Sequence, residues 1–397
     1  MARIPLVRHL LIATALLGAC EPPPDSAAID GALTQDAGAV PFVALAGCPQ
    51  YVFTAPVIVG AQTFHLVVDT GSTTLAVASS ACSNCTGVSP LYTPSASATD
   101  THKPASERFG DGSGWSGDVY LDNVAIDPFP ATQLSLVGMA AQTRFILPFT
   151  CPGGSLTNYE GIIGFGAARL ALANTNGYLD QLVRSGTPDL FALSLCDGGG
   201  RLWLGGYDAT AASTPVQFTP MVGALGYYAV SLSDARVGAT SPGFAASDFG
   251  SAIVDIGTSN LLVPAATLTR LATAIEADPG FSKYFGTGDT LFGKAMCVAP
   301  SIAGTRDEID AALPALTLVI PSATAGSTIE IHGAATQTYL FASVDAAGND
   351  VYCPALGVAP RGAGIGTIIG SAILRTQLTV IDRARQRVGF APVKGCE

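Results

Sequence analysis

The sequence predicts an all-β protein made of two similar lobes, and two observations carry that prediction. Hydrophobic periodicity is mostly of period two, broken by Gly or Pro roughly every eight to twelve residues, as short strands require. One segment also occurs twice, VVDTGSTTLAV at 67–77 and IVDIGTSNLLV at 253–263. In each copy an apolar run delivers an Asp into a Gly turn, a hydroxyl residue follows, and an apolar run leaves. Composition agrees. Only 12% of the 397 residues are charged, against roughly 25% in an ordinary globular protein, and 45 Gly suit tight turns.

The amino-terminal segment stands apart from both lobes. Arg3 and Arg8 precede an apolar run at 10–17 that ends in Leu17-Gly18-Ala19-Cys20. Such a run is too short to span a membrane and reads as a signal-peptide core. Its ending resembles a bacterial lipobox, which implies removal of 1–19 and acylation of Cys20. The expectation is an exported bacterial lipoprotein on the periplasmic or cell-surface side, held to a membrane by lipid alone. An ordinary secretory signal with a chance Cys is the alternative. Residues 20–48 read as acylated Cys and flexible tether, containing Pro22-Pro23-Pro24 and no Lys or Arg. Loss of 1–19 removes only positive charge from a chain already at −11, which disfavours nucleic acid or an anionic membrane surface as partner.

The first lobe is expected over 49–210 and the second over 211–397. Strands are predicted at 51–59, 118–126, 201–205, 227–237 and 316–320. Helices are predicted at 177–185, after Asn174-Thr175-Asn176, and at 265–277. The latter carries Leu268, Leu271, Ala272 and Ile275 on one face. Each half later has two Ile before a Gly, Ile162-Ile163-Gly164 and Ile368-Ile369-Gly370. A strand of that kind packs closely on another backbone and is expected beside each Asp turn.

Asp69 and Asp255 are the candidate catalytic pair. Two carboxylates in close contact cannot both ionise, so one serves as acid and the other as base toward a water. Gly71 and Gly257 let the backbone turn beneath them. Ser72 and Thr258, three residues after each Asp, can orient its outer oxygen. This chemistry needs no metal and no cofactor. Nine Cys fit an oxidising compartment, and eight remain if Cys20 carries lipid. Cys82-x-x-Cys85 reads as half a zinc site, a redox motif or a small loop disulfide. The disulfide is preferred, because no second CxxC exists and His65, His102 and His332 stand alone. Residues 112–117 formally match GxGxxG, but an alternating strand pattern follows instead of the helix that a dinucleotide site needs.

With both turns in view, the chain resembles the pepsin-like aspartic peptidases over nearly everything after residue 50. Phe109-Gly110-Asp111-Gly112-Ser113 stands where that family has its flap, a hairpin that closes over substrate. Tyr159 to Gly164 and Leu202 to Asp208 are similar to segments of its first lobe. The run at 379–392 is similar to its closing strands, especially those of the β-secretases. The resemblance implies a bilobal acid-protease fold of two β-barrel-like lobes with a cleft between them. It further implies an aspartic endopeptidase, monomeric, acting on extended polypeptides. Thr70 would take the place of the residue that bonds across to the other lobe, and Phe109, Gly110 and Asp111 would form the flap over substrate. Cys297–Cys353 looks like the family's second-lobe bridge and Cys196–Cys396 like a β-secretase pair. Cys82–Cys85 would close a small loop, which leaves Cys48 with Cys151.

Three positions depart from the family pattern. Ile256 stands where a hydroxyl is usual and cannot return the bond that Thr70 makes. Phe109 and Ala76 replace a Tyr and a Trp that normally touch. Ser371 replaces an Asp near the pair, and losing that like charge lets the pair ionise more easily. These departures sustain an alternative, a catalytically silent pepsin-fold binding or inhibitor protein. Retention of both Asp, both Gly and both supporting hydroxyls opposes it.

Overall fold

A computed structural model describes residues 40–48, 52–147, 158–223, 226–287, 291–292, 296–360 and 364–395. The signal segment with Cys20, most of the tether, Cys151 and Cys396 lie outside the described residues. The molecule is mainly strands, arranged as two β lobes. Among the described residues, no helix is long and apolar enough to cross a membrane.

The first lobe is one folded-over sheet. Strands Val52–Val59 and Gln62–Asp69 form a hairpin, and Gln62–Asp69 then pairs in parallel with Gly161–Gly164. That strand pairs with Leu75–Ala78, and the sheet continues through Thr132–Thr143 and Gly114–Ala125 to Thr99–Arg108. A second pairing of Val52–Val59 with Gly114–Ala125 closes the sheet on itself. Its interior is apolar, with Phe53, Phe64, Leu66, Val68, Tyr92 and Leu136 all fully buried.

The same sheet runs on into the carboxyl-terminal strands. Leu190–Cys196 pairs with Gln377–Asp382, which pairs with Arg387–Pro392 and so reaches Gln217–Pro220. The chain's last strands are thus hydrogen-bonded to the first lobe, which makes this shared sheet a rigid base beneath both lobes. Its charged positions are neutralised internally. Arg383 Nε meets Asp189 at 2.9 Å, and Arg387 meets the buried Asp382 at 2.8 Å.

The second lobe repeats the pattern of the first around Asp255. Strand Ser251–Val254 pairs in parallel with Ile365–Ile369, which pairs antiparallel with Leu261–Val263. The predicted strand at 227–237 divides into Ala229–Ser231 and Asp234–Val237. The first piece pairs with Ser251–Val254 and the second with Leu316–Pro321, so the chain breaks where it changes sheets. The predicted helices occur as Tyr178–Arg184 and Ala265–Glu276. Short helices at Pro279–Phe285 and Arg306–Ala312 were not foreseen, although each carries a readable start. Asp278 caps the first ahead of a Pro, and Thr305 with Glu308 forms a capping box on the second.

Cys82 is bonded to Cys85, which removes both as metal ligands, and Cys297 is bonded to Cys353. Cys48 and Cys196 are disulfide-bonded as well.

Candidate active site

The two Asp turns meet where the lobes face each other. In the first lobe, Gln62–Asp69 runs parallel to Gly161–Gly164, with Asp69 opposite Gly164. A Cβ on Gly164 would lie 2.4 Å from the Thr73 backbone, so only Gly lets this strand seat against the turn. In the second lobe Gly370 has the same duty, since its Cβ would fall 2.2 Å from Asn260 O. Phe165 N donates to Asp69 O at 2.6 Å, and Asp255 N donates to Ile369 O at 3.0 Å. Each carboxylate thus leaves from a backbone fixed on both sides.

The carboxyl groups are oriented alike. Gly71 N donates to Asp69 Oδ1 at 2.8 Å and Ser72 Oγ donates to Asp69 Oδ2. Gly257 N donates to Asp255 Oδ1 at 3.0 Å and Thr258 Oγ1 donates to Asp255 Oδ2 at 2.7 Å. Each turn glycine also faces the opposite acid. A Cβ on Gly257 would sit 2.3 Å from Asp69 Oδ1, and one on Gly71 would sit 3.0 Å from Asp255 Oδ2. Both Asp are buried, and their carboxyls are in hydrogen-bonding contact. Burial raises the Asp69 carboxyl well above the ordinary carboxylate range. The Asp255 charge and hydrogen bond add to this, and Ser72 and Gly71 oppose it. Burial and the neighbouring carboxyl both favour the neutral form of Asp69.

The bond between lobes is one-sided. Thr70 Oγ1 donates to Val254 O at 2.9 Å and accepts from Ile256 N at 3.1 Å. Ile256 returns no side-chain bond. Its buried side chain lines an apolar space with Leu193, Leu195, Leu374 and Ile381 that has no room for a water. Apolar packing has replaced the second hydroxyl. Thr379 lines the same space, and its buried hydroxyl has no hydrogen-bond partner among the described residues.

The candidate flap is the hairpin of Thr99–Arg108 and Gly114–Ala125. Phe109 N donates to Ser113 O at 2.9 Å across its tip. Asp111 is folded into the turn, where its Oδ1 accepts from Ser113 N at 2.8 Å and Ser113 Oγ at 2.7 Å. Phe109 stacks on Phe145 at 5.4 Å between ring centres. Trp115 is buried in one apolar cluster with Ala76 and Phe109, filling the region where Trp and Tyr are both missing. Gly110 lies against the second lobe, close enough that a Cβ there would meet Pro360 Cγ at 2.8 Å. Ser371 supports the second turn through its amide, which donates to Thr258 O at 2.8 Å.

Two residues at the site escaped sequence reasoning. Tyr227 has its phenol raised by burial and then by Asp255, Glu107 and Asp69. Glu107 lies on the flap. Its placement two residues before Phe109 was the one readable sign that it shares the flap's inner face.

Two lobes, each delivering one Asp from a Gly turn beneath a hairpin flap, define an acid-protease architecture. Residues 50–393 match the eukaryotic aspartyl protease family, and the chain belongs to that family of peptide hydrolases. It is 28% identical to a beta-secretase of Strongylocentrotus purpuratus, over 83% of this chain and 64% of that protein. It is 25% identical to an aspartic protease of Phaffia rhodozyma, over 85% of this chain and 76% of that one. A cathepsin E of Oryctolagus cuniculus is 27% identical, over 83% and 77% respectively. The chain thus spans just under two thirds of the length of the beta-secretase it matches.

Proposed function

We propose that the protein is an aspartic endopeptidase in which Asp69 and Asp255 activate a water held between them. The pair itself carries the reading: two buried carboxyls in contact, each held by one amide and one hydroxyl. The ionised member takes a proton from the water as its oxygen attacks the peptide carbonyl. The protonated member donates to the developing oxyanion. Collapse of the tetrahedral intermediate breaks the C–N bond, and the proton held by the pair passes to the leaving nitrogen. Substrate is an extended polypeptide lying under the flap, with Phe109 as an apolar wall and Gly110 giving the chain close approach. The working unit is a monomer of two lobes, 49–210 and 211–397. It is exported and tethered to a membrane through lipid on Cys20.

A denatured protein substrate tests the chemistry, scanned from about pH 3 to 7 with Asp69→Asn and Asp255→Asn variants. Cleavage that either substitution abolishes supports the reading. No cleavage by folded wild-type protein overturns it in favour of a silent binding protein. Incorporation of labelled fatty acid that Cys20→Ser abolishes would support the anchor.

A further inference from the structure

Glu107 sits on the flap strand Thr99–Arg108, where alternation puts Ala105, Glu107 and Phe109 on the sheltered face and exposes Ser106 and Arg108. Register pairs Glu107 with Trp115 on the opposing strand, so both side chains occupy that face. Glu107 Oε2 and Trp115 Nε1 are both buried, and neither has a hydrogen-bond partner among the described residues. An acid oxygen enclosed by an apolar face and left unpaired calls for a partner supplied from outside.

Tyr227 connects this face of the flap to the Asp pair. Glu107 acts on the Tyr227 phenol more strongly than Asp69 does, and Asp255 acts more strongly still. The phenol therefore feels three carboxyls, Glu107 on the flap strand and both members of the Asp pair. The flap tip at Gly110 lies close against Pro360 of the second lobe. Tyr227 is the titratable group that senses both Glu107 and the Asp pair, while Arg108 lies on the exposed outer face.

We propose that Glu107 determines specificity by receiving a basic side chain, Lys or Arg, from the polypeptide in the cleft. The inference rests on the peptidase reading. A guanidinium or ammonium satisfies the unpaired oxygen with a charge-assisted hydrogen bond, and the rings of Trp115 and Tyr227 can cover its alkyl stem. Burial pushes the Glu107 carboxyl up to about 7. At acid pH the empty subsite therefore holds a neutral acid, and preference for a cation strengthens as pH rises toward neutrality.

The full-length protein is assayed on a synthetic peptide series in which Lys, norleucine or Glu replaces each residue flanking the scissile bond in turn. At one position the Lys-to-norleucine ratio of kcat/KM should reach about tenfold near pH 6.5 and fall near pH 4, tenfold being about 1.4 kcal/mol. Glu107→Gln should bring the ratio close to one, and Glu107→Lys should turn the preference toward Glu. A ratio that Glu107→Gln leaves unchanged overturns the inference alone. So does a wild-type ratio flat across pH, a measurement that needs no variant. Wild-type protein that cleaves no peptide overturns the peptidase reading and this inference together.

Discussion

Thr70→Val keeps the shape of a side chain and deletes one hydroxyl. That hydroxyl makes two bonds to the backbone of the second Asp turn, to Val254 O at 2.9 Å and from Ile256 N at 3.1 Å. Val254 and Ile256 are buried, and the adjoining space has no room for a water to substitute. A buried polar group stripped of its partner costs about 1–3 kcal/mol, so two such groups put the loss at about 2–6 kcal/mol. The reciprocal residue is Ile256, so no second hydroxyl shares the load. Urea unfolding followed by Trp fluorescence measures the effect, with two controls. Thr70→Ser keeps the hydroxyl and should cost less than Thr70→Val. Ile256→Val tests packing alone and should cost about 0.5–1.5 kcal/mol. Activity should fall with stability, because the turns that aim the two carboxyls lose their bond. A Thr70→Val protein within about 0.5 kcal/mol of wild type would refute the reasoning.

Three further outcomes can be checked. Gly257→Ala should lower kcat by roughly a hundredfold, since a Cβ 2.3 Å from Asp69 Oδ1 forces that carboxyl aside; Gly71→Ala, with 3.0 Å to spare, should do less harm. Equal kinetics for the two would sink this ranking. Asp69→Asn should gain stability over wild type as pH rises. The native Asp69 carboxyl is raised above its unfolded value, so wild-type stability declines once pH passes the unfolded range near about 3.9. The gap should be present at pH 7 and vanish at pH 3, as read by denaturation at both. Asp197→Asn should cost about 2 kcal/mol, discounted for the exposure of Asp197, by leaving the buried Arg375 without its ion pair. Burial would raise Asp197, but Arg375 and Arg306 outweigh it and hold it below the ordinary range. Its contribution is therefore present above the unfolded value and lost as pH falls through the lowered one. An Asp197→Asn melting curve matching wild type would contradict this.

The sequence legible along the chain was the part governed by short-range rules. Period-two runs gave the strands, and duplication of the Asp turn gave two lobes. The Ile-Ile-Gly runs gave the strands that brace those turns, because only Gly fits where backbones touch. A capping box at Thr305 and a capped Pro at Asp278 were equally local and simply went unread. The break near Leu232 was not local, because nothing in the run at 227–237 says where it trades one sheet partner for another.

Sequence alone thus determined the two acids, their glycines and their supporting hydroxyls, since each is set by a turn of three or four residues. Tertiary structure alone decided what surrounds them. It seats Ile256 in apolar packing and joins the last strands to the first lobe. It also brings Tyr227 of the second lobe into the field of both Asp and of Glu107 on the flap. Those relations depend on which distant surfaces exclude water from one another, and burial of that kind is a property of the assembled fold.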